Sequence, residues 1–275
     1  MIKKVLFFLL FLGVSLSLPA GFKRLTHGFR LAKLQLDFPY HPEWERSRNQ
    51  EVEEILRQPF FFLNKGAQCY AFRSADDKYV LKLFRYDQRS LFFRNKKKSP
   101  LIAKITKLFD ACKMAYDLAP EETGLLYIHL NPSSDLPRIR CKDALGRSYR
   151  IPLNSYRFAL QRKAEPFRKT LLKARNNPLE MQKRIDQFLT LLEHRTAKGI
   201  GNSDPNLSRN FGFLETCAIE FDFGNYGLSP DLQLPQYQIP EMKRYTHRLR
   251  RWLKKEAPEW VAYFDERVES IGFSS

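Results

Sequence analysis

The residues best suited to chemistry are concentrated in one stretch, Lys198 to Gly227, KGIGNSDPNLSRNFGFLETCAIEFDFGNYG. Two acid-bearing segments lie in it. The first is Asp204-Pro-Asn-Leu-Ser-Arg-Asn210, and the second is Asp222-Phe223-Gly224, which closes the short apolar run Cys217 to Phe223. Between them Asn210 is followed by Phe-Gly-Phe. Carboxylate and amide oxygens are the donors that hard divalent cations take, although Asp-Phe-Gly also makes an ordinary turn. Upstream, Lys82 sits inside the apolar strand pattern Tyr79-Val-Leu-Lys-Leu-Phe84. An unpaired ammonium there is costly. Lys82 therefore takes a phosphate or carboxylate partner, or it snorkels to solvent from an edge strand.

The surrounding pattern supplies elements to position these groups. Phe60 to Arg85 is a strand meander, with a tight turn at Ser74-Ala-Asp-Asp77. Ile102, Ile105, Phe109, Cys112 and Tyr116 form a helical stripe. Thr123 to Leu130 reads as a buried strand whose His129 is structural, Arg138–Lys142 and Arg147–Leu153 as a hairpin, and Tyr156–Gln161 as a further strand. Asn177-Pro178 with Glu180 is a helix start, carrying the stripe Met181, Ile185, Phe188, Leu189 and Leu192 to a C-terminal Gly199. That helix delivers the chain to Asp204. Two more amphipathic helices follow, around Met242–Leu253 and Pro258–Ile271.

Taken in order, these motifs resemble the protein-kinase-like phosphotransferases. In that family an Asp, an Asn a few residues on and a strand ending in Asp-Phe-Gly follow a glycine-rich loop and a strand lysine. The resemblance spans Phe60 to Tyr226 and implies an α+β, two-lobed fold with a strand-rich N-lobe and a reduced helical C-lobe. It implies ATP and Mg²⁺ as cofactors. Lys82 would hold the nucleotide phosphates, and Gly66, Ala67 and the hinge residue Gln161 would flank the nucleotide. Asp204 would serve the acceptor hydroxyl, and Asn210 and Asp222 would bind the metal. Departures are plain. Asn64 and Cys69 replace the outer loop glycines, Asn-Ser-Asp stands for His-Arg-Asp, and Asn210 lies six residues after Asp204 rather than five. No Glu lies within Ile102–Leu118 to pair with Lys82, only Asp110 and Asp117. The alternative is a catalytically degenerate kinase-fold module that engages an anionic membrane or an acidic protein.

The formal charge of +17 favours anionic partners, and no nucleic-acid motif is present. Residues 1–20 read as a signal peptide or signal anchor, with Lys3 and Lys4 ahead of the apolar run Val5 to Leu18. This implies membrane association, or secretion after cleavage. Residues 21–57 read as an extension or linker, 58–161 as the N-lobe and 162–275 as the C-lobe. Arg85 to Pro100 is a basic loop that includes Phe92 and Phe93. The four cysteines are scattered singly, which excludes a C-x-x-C zinc or redox site.

Overall fold

The structure, a computed structural model, describes residues 21–86 and 99–271. The apolar N-terminal run and most of the basic loop lie outside the described residues. In chain order the elements are α1 (Gln50–Arg57), β1 (Phe60–Lys65), β2 (Cys69–Ser74), β3 (Tyr79–Phe84), α2 (Ser99–Leu118), α3 (Pro120–Thr123), β4 (Leu125–His129), β5 (Arg138–Lys142), β6 (Ser148–Pro152) and β7 (Phe158–Arg162). There follow β8 (Glu165–Pro166), α4 (Phe167–Ala174), α5 (Pro178–Ala197), β9 (Ile200–Asn202), α6 (Leu207–Asn210), β10 (Phe211–Phe213), β11 (Ala218–Glu220), β12 (Tyr226–Leu228), α7 (Pro235–Glu256) and α8 (Val261–Ile271). The class is α+β. The chain divides into two compact units, Met1–Lys97 with His129–Phe158, and Lys98–Ile128 with Ala159–Ser275.

The first unit is built on a mixed sheet with the order β3-β2-β1-β5-β6. β1 pairs antiparallel with β2 and parallel with β5, and a bulge at Phe62/Asn64 shifts the β1–β2 register. Alternation sends Phe60, Tyr70, Phe72, Ile139, Cys141 and Ile151 inward. The extension of residues 21–57 packs as part of this unit. Phe29, Leu34, Phe38 and Trp44 are buried. The Phe29 ring meets Tyr70, Phe72 and Tyr149 edge-on, and the Tyr70 hydroxyl donates to Gly28 O at 2.6 Å. Such aromatics cover a sheet face that would otherwise be wet.

His129 is structural, as its solitary position in an apolar strand suggests. Its Nδ1 donates to Tyr156 O at 2.8 Å and its Nε2 lies 3.1 Å from Ser133 Oγ. Burial pushes the imidazole down to about 4; the Tyr156 acceptor, Glu45 and Asp135 pull upward, while Arg157 adds to the depression. The unfolded chain therefore takes up a proton near pH 6.5 that the folded chain refuses until about pH 4. Stability present above pH 6.5 is lost as pH falls toward 4, by up to about 1.4 kcal/mol per pH unit. His129→Gln should make the fall in urea-unfolding free energy between pH 6.5 and 5 shallower by about one proton. An unchanged slope would show that His129 is not the group involved.

The second unit is mainly helical. Asn177 caps α5 by accepting the Glu180 N–H at 3.2 Å, and Pro178 opens the helix. Met181, Ile185, Phe188, Leu189 and Leu192 are fully buried among Phe167, Leu171, Tyr245, Leu249, Leu253 and Phe264. Gly199 ends the helix with φ +69°, a backbone state that glycine adopts without strain. β4 and β7 neighbour one another, and β10 pairs with both β11 and β8. At Gly212 in β10 an added Cβ would lie 2.6 Å from Glu165 O and 2.8 Å from the Ala164 Cβ. Backbone cannot yield there as a flexible side chain would. Gly212→Ala should cost about 1–3 kcal/mol, read as a lower melting temperature. An unchanged melting temperature would refute this close approach.

Candidate functional site

The acid-bearing segments sit between two short ladders of the second unit. β9 and β12 pair antiparallel with Asn202 opposite Tyr226, and β10 and β11 pair with Phe211 opposite Glu220. The first ladder fixes the start of the Asp204 loop against the end of the Asp222 turn. The second carries the chain from Asn210 back to Asp222.

Hydrogen bonds then join the three candidate residues. Asn210 Nδ2 donates to Asp204 O at 2.8 Å, and the Asp222 N–H donates to Asn210 O at 3.3 Å. Asn202 bridges both segments, accepting the Asp204 N–H at 2.9 Å and donating Nδ2 to Asp222 O at 3.3 Å. The six-residue spacing is absorbed by the single turn of α6, where the Asn210 N–H donates to Asn206 O at 3.0 Å. Asn210 is buried, and its Oδ1 has no partner among the described residues. The carboxylates of half-buried Asp204 and exposed Asp222 likewise make no ion pair or hydrogen bond among the described residues. Three oxygen donors are thus held by backbone contacts with their lone pairs unspent. No group of three or more His, Cys, Asp or Glu side chains with metal-binding geometry occurs among the described residues.

Behind this loop lies a buried charge cluster that the sequence reading missed. Arg195 of α5 is fully buried and donates to Glu220 Oε2 at 2.6 Å and to Glu241 Oε1 at 3.2 Å. Its guanidinium lies 4.6 Å from the centre of the Tyr245 ring. Glu220 also accepts from Asn202 Nδ2 at 2.7 Å and from the Tyr226 hydroxyl at 3.0 Å. The Tyr245 hydroxyl donates to Asn202 O at 2.8 Å. Burial pushes the Arg195 pKa down, but the Glu220 charge outweighs it and the net shift is upward. Arg195 therefore stays charged. The available signal was a charge at an inward helical position, three residues after Leu192, and an acid within the apolar run Cys217 to Phe223.

The remaining candidates are placed as follows. Gln161 is buried in β7, and its side-chain amide donates to Thr123 O and, at 3.4 Å, to Phe221 O, the carbonyl just before Asp222. Gly66 and Ala67 form the β1–β2 turn, where the Gly66 N–H donates to Cys69 O at 2.9 Å and Arg85 Nε to Ala67 O at 3.0 Å. A Cβ at Gly66 would meet nothing closer than 3.6 Å, so the position is sterically open. Lys82 is half-buried in β3 of the first unit, opposite Ala71. β3 is bonded to β2 on one side, and the Phe84 N–H donates to Arg157 O at 2.9 Å. β3 is therefore not a free edge at Phe84, which weakens the edge-snorkelling alternative. In α2, Asp117 pairs with Lys113 at 2.9 Å and Asp110 is exposed. The four cysteines are free thiols. No helix among the described residues is long and apolar enough to cross a membrane.

No protein-family model matches the chain. No curated protein matches it either. Among solved structures it is similar to the 2.2 Å crystal structure of WbdD, with a TM-score of 0.40 and 12% identity over 76% of this chain. The match covers 45% of the WbdD chain, so this chain corresponds to less than half of that protein.

Proposed function

We propose that this chain is a kinase-like phosphotransferase that moves a phosphoryl group from ATP to a hydroxyl acceptor with the help of Mg²⁺. The observation that supports this most is the Asp204–Asn210–Asp222 constellation, in which backbone bonds fix the loop while the metal-type oxygens remain unspent. The donor set fits Mg²⁺, which takes one or two carboxylates together with substrate phosphates. Bound there, the ion would neutralise charge on the transferring phosphates. Asp222 and Asn210 would hold it. Asp204 would orient the acceptor hydroxyl and take its proton. The hydrogen bonds through Asn202 hold both segments in place beforehand, so little ordering cost falls on the reaction itself. By the same reading Lys82 holds nucleotide phosphates, with Gly66, Ala67 and Gln161 beside the nucleotide.

The test is calorimetric titration of the full chain with ATP, with and without Mg²⁺, followed by an assay of γ-phosphate loss. Metal-dependent binding is expected. If no ATP binds with either Mg²⁺ or Mn²⁺, the assignment falls and the chain is a binding module of the same fold, acting through its basic surface.

A further inference from the structure

The buried acid Glu220 does something for the candidate site that an ion pair alone does not require. It ends β11 in an apolar run, fully buried, two residues before Asp222. Replacing a buried ion pair by apolar side chains is often neutral or stabilising, so stability gives little reason for a charge there. The two oxygens of Glu220 divide their partners. Oε2 takes the Arg195 guanidinium at 2.6 Å and the Tyr226 hydroxyl at 3.0 Å, and Oε1 takes Asn202 Nδ2 at 2.7 Å. All three are donors, and an ionised carboxylate, which only accepts, meets every one of them.

That one-sidedness sets the Asn202 amide. Asn202 is 1% exposed. The oxygen and the NH₂ of its amide are nearly the same size, so shape alone does not say which way the group faces. Opposite a carboxylate it has to present the NH₂. Its second N–H then reaches Asp222 O at 3.3 Å, and its Oδ1 is left to accept the Asp204 N–H at 2.9 Å. Turned over, the amide would set its oxygen against the oxygens of Glu220 and Asp222, and its NH₂ against the Asp204 N–H. All three bonds would be lost together. The Tyr245 hydroxyl donates to Asn202 O at 2.8 Å, which holds the backbone and is indifferent to the turn.

We infer that Glu220 is a positioning residue: by fixing the orientation of the Asn202 amide, it holds the Asp204 loop and the Asp222 turn in their working places at once. Its consequence for catalysis rests on the phosphotransfer reading, and its consequence for the loop does not.

Glu220→Gln is the test, because glutamine has one accepting oxygen where the carboxylate has two. The Arg195 charge takes that oxygen, which turns the new NH₂ toward Asn202 and forces Asn202 over. In the full chain, Mg²⁺-dependent ATP affinity and the rate of phosphoryl transfer at saturating ATP should both fall about 10- to 100-fold, the effect of losing a partner that orients a site. Amide exchange at Asp204, measured without nucleotide, should quicken about 2- to 10-fold, as one hydrogen bond is lost. Arg195→Met/Glu220→Gln should restore most of the affinity, rate and protection, because without the cation the new amide is free to give its oxygen to Asn202. Tyr226→Phe strips a donor from the other Glu220 oxygen. It should lower the melting temperature while ATP affinity, transfer rate and Asp204 exchange stay close to those of the parent. If Glu220→Gln fails to fold, Asn202→Ala keeps the test open, since it removes the relay and leaves the Arg195–Glu220 pair; the same three losses are expected. Unchanged Asp204 exchange in Glu220→Gln, equal losses in Tyr226→Phe, or no recovery in the double variant would each overturn the inference. A parent that binds no ATP would overturn the phosphotransfer reading instead, and the exchange measurements would still decide whether Glu220 sets the loop.

Discussion

Arg195→Met is expected to lower the stability of the second unit by about 3–5 kcal/mol, a large part of what a domain of this size has to lose. The reason is what the substitution leaves behind. Glu220 and Glu241 are 0% and 7% exposed; Arg195 pairs with both, and Glu241 also pairs with the more exposed Arg244. Without Arg195, Glu220 keeps only the neutral donors Asn202 and Tyr226 as a buried carboxylate without a cation, Glu241 keeps Arg244 at 2.7 Å, and the Tyr245 ring loses the guanidinium 4.6 Å from its centre. Met fills much of the arginine's volume, so the loss measures charge more than cavity. Urea denaturation followed by circular dichroism reads the effect. Adding Glu220→Gln to Arg195→Met should recover part of the loss, because one orphaned charge disappears. A single-mutant cost below about 1 kcal/mol, the range of an exposed pair, would show that the cluster is not closed to water. The same substitution should speed amide exchange at Asp204 and Asp222, because Asn202 joins Glu220 to both segments.

Asp204→Asn and Asp222→Asn should separate the two steps of the proposed reaction. Each keeps the shape of its side chain and removes one negative charge. Asp222→Asn takes a charged oxygen from a hard cation, so Mg²⁺-dependent ATP affinity should fall about 10- to 100-fold, the range seen when support for a bound metal is lost. Asp204→Asn should leave that affinity nearly intact and lower the rate of phosphoryl transfer about 10²- to 10⁴-fold, as expected for losing a positioned proton acceptor. In both, the melting temperature should barely drop or should rise, because neither carboxylate has an ion-pair partner among the described residues. Equal effects of the two substitutions on ATP affinity would refute the division of roles. Unchanged affinity in Asp222→Asn would reduce that residue to a turn former.

The sequence by itself determined the local elements. α5 follows from its Asn177 cap, its Pro178 start, its apolar stripe and Gly199, each a contact within a few residues of chain. The strands around Lys82 and the hairpin at 138–152 follow from alternation, which is equally local. The order of Asp204, Asn210 and Asp222 could also be read, and with it the candidate site. What only the tertiary structure decided depends on partners far apart in sequence. Periodicity marks Arg195 as inward-facing but cannot say that Glu220 and Glu241, 25 and 46 residues away, come to meet it. The six-residue spacing to Asn210 looked like a defect until the turn of α6 took up the extra residue and brought the amide to Asp204 O. Residues 21–57 looked like an extension or linker because prolines break their pattern. They pack because Phe29 finds a sheet face, and Trp44 stacks with Phe38 and His41, contacts that no local rule reveals. Local sequence sets which conformations are cheap. Burial, shared among distant segments, sets which charges must be paired and which can stay without a protein partner.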